Sequence, residues 1–360
     1  MAALIIVLVI IALIVEAWSM THSLDGVEYD VSIDRQLVEI DQPFHVITEL
    51  RNRSRRFIPF LRMVEDLPGG MKTDLRTTHG SSIEEERMDM KSTVYLRPRQ
   101  LLTRSFPATM PARGRYTHKG ATLFGGDFLG LKETTVNEFR LCEIVVLPKP
   151  WRDVKLEETL GGFLGDISVN RFIMEDPVLT LGFREYTGRE PQKMIAWPQS
   201  LRAGKMLVKN YDYTIDLSVT VILNVYDVDN LTLNHARMET AYSMTRSVVE
   251  ALEEKGIAYS FYTNASAAGM TMPFNHITEG LGSAHLNAIL EGLGRATYIA
   301  KESFYHMADT LVRSAEKGRS YIVITTNYND DYAQLVNRLR DMSGGEVLVL
   351  RADTEEEVAA

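Results

Sequence analysis

At 360 residues the chain is long enough for two domains and an anchor, and its 45% apolar content is ordinary for a globular fold. A formal charge of −9 excludes general nucleic-acid binding, which needs a basic face, and leaves only local basic patches. The single cysteine, Cys142, excludes an internal disulfide framework and fits a reducing compartment, and the 16 methionines read as core filling rather than metal ligands.

Residues 2–17 read AALIIVLVIIALIVEA, with Glu16 as the one charge. That run is near the lower limit of about 17–25 residues for a spanning helix, and Trp18 follows where an interfacial aromatic would sit. No Lys or Arg precedes the run and no small-x-small cleavage site appears before Asp25. Residues 1–20 therefore read as an uncleaved transmembrane anchor rather than a signal peptide.

Between 27 and 148 the chain shows short, often alternating runs such as VEYDVSID, FHVITELRN, RMDMKSTVYL and LLTRSFPATM, separated by turn-rich pieces. This spacing predicts an antiparallel β-sandwich. Arg51, Arg53, Arg55 and Arg56 form a basic cluster. It reads either as a solvated turn or as a contact for anionic lipid headgroups or an acidic partner. Gly125-Gly126-Asp127 reads as a turn, since a phosphate cradle would open a helix carrying a lysine. A connector follows over 149–212, in which Gly161-Gly162 and Gly165 predict flexible or irregular chain.

The least generic stretch is FREYTGREPQKMIAWPQSLR, residues 183–202. It sets Arg184, Glu185, Arg189, Glu190 and Lys193 around Tyr186 and Trp197, whose rings call for burial. A strand, a turn and a short helix clipping two domains together is the plain reading. No activated nucleophile accompanies it, because Ser200 has no histidine near it in sequence.

From 213 to 351 the period changes. Buried β-branched strands (VTVILNV, SYIVIT) alternate with helices over 233–255, 283–293, 302–317 and 330–342, which predicts βαβ units and a doubly wound sheet. Asp330 and Asp331 read as first-turn residues favourable to the helix dipole. His235, His276, His285 and His306 have no H-x-x-x-H spacing and read as structural. The tail 352–360, rich in glutamate, reads as disordered.

Arg184-Glu185-Tyr186, Glu190, Lys193, Ile195, Trp197, Ser200 and Arg202 resemble the motif of the family called domain of unknown function 58. Lys193 stands for an arginine, Ala196 for an acid and Leu201 for an alanine. Arg113-Gly114-Arg115-Tyr116, Gly120 and Asp127-Phe128-Leu129-Gly130-Leu131 also resemble it, with Phe128 for a proline and Leu129 for a phenylalanine. The likeness spans about 113–326. It implies an N-terminal anchor with the bulk of the chain in the cytoplasm. It further implies partnership with a MoxR-type AAA+ ATPase, often beside a transglutaminase-like membrane protein, and a von Willebrand A-like second domain.

Such domains often hold a divalent cation at the carboxyl edge of the sheet, through D-x-S-x-S after the first strand and an aspartate after a later one. The matching positions are Asn224, Tyr226, Val228 and Asn327, so the metal site reads as degenerate. Asp227 and Asp229 would serve only a shifted site, and Tyr226 and Tyr328 are candidates to fill the empty edge.

The expectation is thus an α+β multidomain protein: transmembrane helix, antiparallel sandwich, motif-bearing connector and α/β domain. It would be a membrane-anchored, non-enzymatic interaction or scaffold protein, with no cofactor, nucleic acid or small-molecule substrate. An extracytoplasmic adhesion-type protein is the alternative. A hydrolase would need G-x-S-x-G after a strand, and Gly280-Leu281-Gly282-Ser283 lacks that pattern.

Overall fold

The computed structural model describes residues 6–8, 10–11, 14, 16, 22–75, 77–79, 87–127, 132–171, 176–188, 190–212, 218–226, 234–270, 273–314 and 316–352. Most of the expected anchor, the 128–131 element, Arg189, Asp227, Val228, Asp229 and most of the acidic tail lie outside the described residues. The described chain is mixed α+β and divides into two compact units, 1–149 with 290–296, and 150–289 with 297–360.

The first unit is a sandwich of β1 (Val27–Ile33), β2 (Leu37–Val38), β3 (Phe44–Asn52), β4 (Ile58–Pro68), β5 (Lys72–Thr73), β6 (Thr77–His79), β7 (Arg87–Leu96), β8 (Leu101–Thr109), β9 (Gly114–Gly126) and β10 (Glu133–Val146). One sheet runs β1-β3-β8-β5 and the other β2-β10-β9-β4-β7-β6. Pairings are antiparallel except β2 with β10. Alternation builds the core: along β3, Phe44, Val46, Thr48, Leu50 and Asn52 turn inward while His45 and Arg51 face out. Tyr29, Phe44, Val46 and Phe106 from one sheet meet Leu61, Met63, Leu123 and Ile144 from the other in one cluster.

Gly120 and Gly125 lie in strand β9, so Gly125-Gly126 is strand where the sequence reads as a turn. Gly120 has φ +114°, and a Cβ there would lie 2.1 Å from the Glu138 carbonyl, opposite the register shift between Phe139 and Cys142. Gly125 lets Leu24 pack onto the strand, since a Cβ would come within 2.6 Å of that side chain. Arg113, from the RGRY element, is buried and its guanidinium donates to the carbonyls of Leu293 (2.5 Å) and Ala296 (2.7 Å) within the same unit. Glu143 pairs there with Arg295 and with Arg115 (2.6 Å), and the Arg295 hydrogen bond holds its carboxyl below the usual range.

The core also contains charge. Glu65 is fully buried and accepts from Thr48 Oγ1 (2.7 Å), Tyr29 Oη (3.2 Å) and Arg104. Burial, followed by Glu65, raises the Tyr29 phenol. His118, also buried, accepts the Gly120 amide on Nδ1 at 3.1 Å, and its Nε2 is buried without a hydrogen-bond partner.

The rest of the chain contains α1 (Val154–Arg171), β11 (Asp176–Glu185), α2 (Trp197–Ala203), β12 (Leu207–Asp212), β13 (Ser218–Asn224), α3 (His235–Glu254), β14 (Ala258–Thr263), β15 (Ala265–Ala267), β16 (His276–Gly280), α4 (Ser283–Arg295), β17 (Ala296–Ala300), α5 (Phe304–Arg313), β18 (Ser320–Thr325), α6 (Asp330–Ser343) and β19 (Val347–Arg351), all in the second unit except 290–296 of α4 and β17. Where the glycines of 151–171 predict irregular chain, the structure has the 18-residue helix α1. Its apolar stripe of Leu156, Leu160, Phe163, Leu164 and Ile167 is buried, while Gly161, Gly162 and Gly165 are exposed. A glycine on an exposed helix face costs only about 1 kcal/mol, and the buried stripe outweighs it.

The main sheet runs β16-β14-β13-β18-β19, with β14, β13, β18 and β19 parallel and β16 antiparallel at one edge. Helices α5 and α6 cover it through Phe304, Met307, Leu311, Tyr332, Leu335 and Leu339, which pack with Ile222 and Val323. Helix α3 packs on β13, β14 and β18 through residues outside that cluster. The β16 edge strand, HITEG, is too short and polar to register in the sequence pattern.

His118 supplies a pH test. Burial lowers its pKa to about 4, against 6.5 in an unfolded chain. The unfolded state therefore takes up the proton first as pH falls. Stability present above pH 6.5 drains away towards pH 4, by about 3 kcal/mol at 1.36 kcal/mol per unit. Denaturant unfolding at pH 7 and pH 4.5 should show His118→Asn losing much less of its own stability between the two pH values than the natural chain does.

Candidate functional site

The motif forms a small strand-turn-helix module. Strand β11 pairs with β12, with Arg184 opposite Val208 and Glu185 opposite Leu207. After the turn the chain returns so that Ile195 bridges Val208 and the Ala196 amide donates to the Leu207 carbonyl at 2.8 Å. Pro198 near the start of α2 suits a position that needs no amide donor, and Gly204 ends the helix at φ +63°.

The polar motif residues brace this module. Ser200 Oγ donates to the Ala196 carbonyl (2.9 Å) and accepts the Leu207 amide (2.8 Å), tying α2 to β12. Glu190 accepts from the Thr187 amide (3.0 Å) and hydroxyl (2.8 Å) and pairs with Arg184, whose hydrogen bond pulls its pKa to about 2. Glu185 pairs with Lys205, and the Tyr186 amide donates to the Met206 carbonyl at 3.0 Å. Ile195 is buried, while Lys193 and Arg202 are exposed.

Trp197 departs from the burial its ring predicts: it is 58% exposed, and Leu201, one helical turn on, is 84% exposed. Phe183 and Met206 of the same module are also exposed. The helix is anchored through its small residues, Ala196 and Ser200, which leaves the large ones outside.

At the carboxyl edge of the main sheet the expected cation positions hold a neutral network. Asn224, fully buried, donates from Nδ2 to Thr325 Oγ1 (2.8 Å). Its Oδ1 accepts from Asn264 Nδ2 (2.7 Å) and the Tyr226 amide (3.0 Å). Asn264 Oδ1 accepts the Val225 amide (2.9 Å), and its Nδ2 also reaches the Glu302 carbonyl (3.2 Å). Thr325 Oγ1 accepts the Asn327 amide at 3.3 Å and donates to the Asn327 carbonyl. These groups carry no formal charge and spend their hydrogen bonds on one another, a poor donor set for a divalent ion.

Tyr328 lies at this edge under the Arg351 guanidinium, 4.7 Å from its ring centre. Asn264 escapes the sequence reading, although its place just after the strand AYSFYT matches that of Asn224 at the end of β13. Asn329 is likewise new: its side chain caps α6 by accepting the Tyr332 amide at 2.9 Å, ahead of Asp330 and Asp331 in the first turn.

The histidines are spread over separate contacts. His235 stacks on Tyr298, His276 on Tyr262, and His285 meets Tyr259 edge-on, while His306 pairs with Glu302. Among the described residues no cluster of three or more His, Cys, Asp or Glu is placed to hold a metal. A cleft of about 340 Å³ is lined by Trp151, Lys155, Leu156, Met244, Leu350 and Arg351, among others. Asp153 on its wall accepts the Lys155 amide at 3.0 Å.

No family model and no curated protein sequence matches this chain. Three solved β-sandwich domains are similar over about a third of it. The CARDB domain of a Pyrococcus furiosus protein, solved with di-metal ions, is 12% identical over 34% of this chain and 90% of its own, with a TM-score of 0.23. A cohesin module of a Clostridium perfringens family 33 glycoside hydrolase is 9% identical over 34% and 96%, with a TM-score of 0.24. A PapD-like domain of human CEP192 is 10% identical over 32% and 86%, with a TM-score of 0.19. At such scores the likeness bears on no function, and the sandwich rests on its own strand pairing.

The neutral edge makes a direct prediction. Asn224→Asp puts a carboxylate into a fully buried site, which should cost on the order of 2 kcal/mol at pH 7. Burial raises that carboxyl's folded pKa, so the loss should fade as pH drops and the group protonates. Denaturant unfolding at pH 7 and pH 5 measures both; equal losses at the two pH values would mean that water or a cation solvates the site.

Proposed function

We propose that the chain is a non-enzymatic interaction scaffold, held at the cell membrane by residues 1–20, with its bulk in the cytoplasm and the exposed face of α2 as a working contact. The observation that carries this reading is Trp197 and Leu201, large apolar side chains one turn apart and mostly exposed on a helix tied to Leu207 through Ala196 and Ser200. Tryptophan on a rigid support is the side chain that most often dominates a protein–protein contact. Lys193 and Arg202, exposed in the same module, suit an acidic rim on the partner.

The partner proposed is a MoxR-type AAA+ ATPase, on the strength of the motif's resemblance. The α/β unit is proposed to be a von Willebrand A-like domain whose cation edge has been replaced by the Asn224, Asn264 and Thr325 network. That replacement leaves an aromatic, metal-free edge with Tyr226 and Tyr328. Support comes from the four parallel strands with an antiparallel edge and from the uncharged donors at their ends.

The test is a crosslinked pull-down from native membranes. The natural chain should recover the ATPase, and Trp197→Ala with Leu201→Ser should lower recovery about 30-fold, as loss of one dominant contact does. Unchanged recovery would move the contact off α2, and recovery of no ATPase from the natural chain would remove the proposed partner.

A further inference from the structure

The end of the sandwich where the apolar N-terminal run joins it is knotted around Asn52. Its amide donates to the Gln100 carbonyl (2.9 Å), and its Nδ2 to the carbonyls of Arg56 (2.8 Å) and Arg97 (3.0 Å). The Arg53 amide donates to Gly26 (2.7 Å) and the Arg99 amide to Ser54 (3.0 Å). Three segments distant in sequence, the turn before β1 and the β3–β4 and β7–β8 loops, are thereby fixed as one surface.

That surface carries Arg51, Arg53, Arg55, Arg56, Arg97 and Arg99 in a chain of net charge −9. The acids facing it are Asp25, paired with Arg56, and Glu28, which lies opposite Arg51 in the sheet and pairs with Arg53. Arg51, Arg55, Arg97 and Arg99 are exposed and have no ion pair among the described residues. Phe57 and Tyr95, 6.1 Å apart, and Leu101 are exposed beside them.

Arg99 is the sharper clue. It holds φ +53°, third in a turn closed by the Gln100 amide on the Arg97 carbonyl (3.2 Å), where glycine or asparagine is usual. A side chain kept at a conformation that disfavours it points to use of the side chain.

The chain also enters here. Ser23 and Leu24 are buried against Gly125, and the Arg56 guanidinium donates to the His22 carbonyl at 3.0 Å. The described side chains of the preceding apolar run, Ile6, Val7, Leu8, Ile10, Ile11 and Ile14, are at least half exposed.

We infer that this end of the sandwich is a docking surface for anionic phospholipid, in which the arginines meet headgroup phosphates and Phe57, Tyr95 and Leu101 sit at the interface. Arginine forks bind phosphate oxygens, and a polybasic face gains affinity from an anionic leaflet. The surface does not depend on the α2 contact, and it does not require the N-terminal run to span the bilayer.

The full chain, with Cys142→Ser and Leu101→Cys carrying a bimane label, is mixed with vesicles containing a lipid-borne quencher. Vesicles with 30% phosphatidylglycerol should quench the label in low salt, and 1 M salt should reverse it. Vesicles of pure phosphatidylcholine should quench little, even where the apolar run holds the chain to them. Arg97→Gln with Arg99→Gly should weaken the phosphatidylglycerol-dependent quenching about 30-fold, equivalent to about 1 kcal/mol for each arginine near an anionic surface. Arg97→Gln alone should give a part of that loss, and Arg99→Gly should unfold no earlier than the natural chain, since it relieves the backbone. Equal quenching in both lipids, quenching in neither, or no effect of the arginine changes would each overturn the proposal, the second pointing to an acidic protein at this surface.

Discussion

A polar group removed from water is costly to leave without a partner, and several buried side chains of this protein meet that constraint by bonding to one another or to backbone. Asn224, Asn264 and Thr325 hold the ends of three parallel strands together by satisfying one another. Ser200 does the same for the motif helix, Asn52 for the basic end of the sandwich, and Glu65 for its core. Asn52 and the Asn224 network join segments far apart in sequence, Ser200 joins the helix to the strand beside it, and Glu65 gathers side chains from three strands. The large or charged side chains nearby are then free to face outward.

This division of labour explains the motif. Its described polar residues are bound into the module itself. Ser200 is spent on backbone groups, Glu190 on Arg184 and the Thr187 turn, and Glu185 on Lys205. What they produce is a seven-residue helix tied to β12, with Trp197 and Leu201 exposed. A helix held in place in this way would lose less backbone entropy on binding than a free one.

Much of the architecture was legible in the sequence. The buried runs VTVILN and SYIVIT and the amphipathic pattern of α3 predict the α/β sheet within a residue or two of its observed strands. The alternating runs of β3, β7 and β8 predict the sandwich. Glycine misled the reading in two places, for one reason. Gly161, Gly162 and Gly165 lie on the exposed face of a helix held by its other side, and Gly125 lies where strand β9 is approached too closely for a Cβ. Composition cannot separate these uses from turns, because the distinguishing contacts come from residues far along the chain. The exposure of Trp197 was hidden likewise, since only the pairing of Ala196 and Ser200 with Leu207 decides which face of α2 is covered.

Contact between the exposed face of α2 and a partner is the central claim to test. A photo-crosslinking amino acid placed at Leu201, already 84% exposed, can be activated in intact cells without disturbing the brace. The proposed contact requires a discrete covalent adduct with an AAA+ ATPase from position 201, and none from the same probe at Lys155, on the wall of the cleft in the same unit. Adducts of equal yield from both positions, or none from position 201, would contradict it.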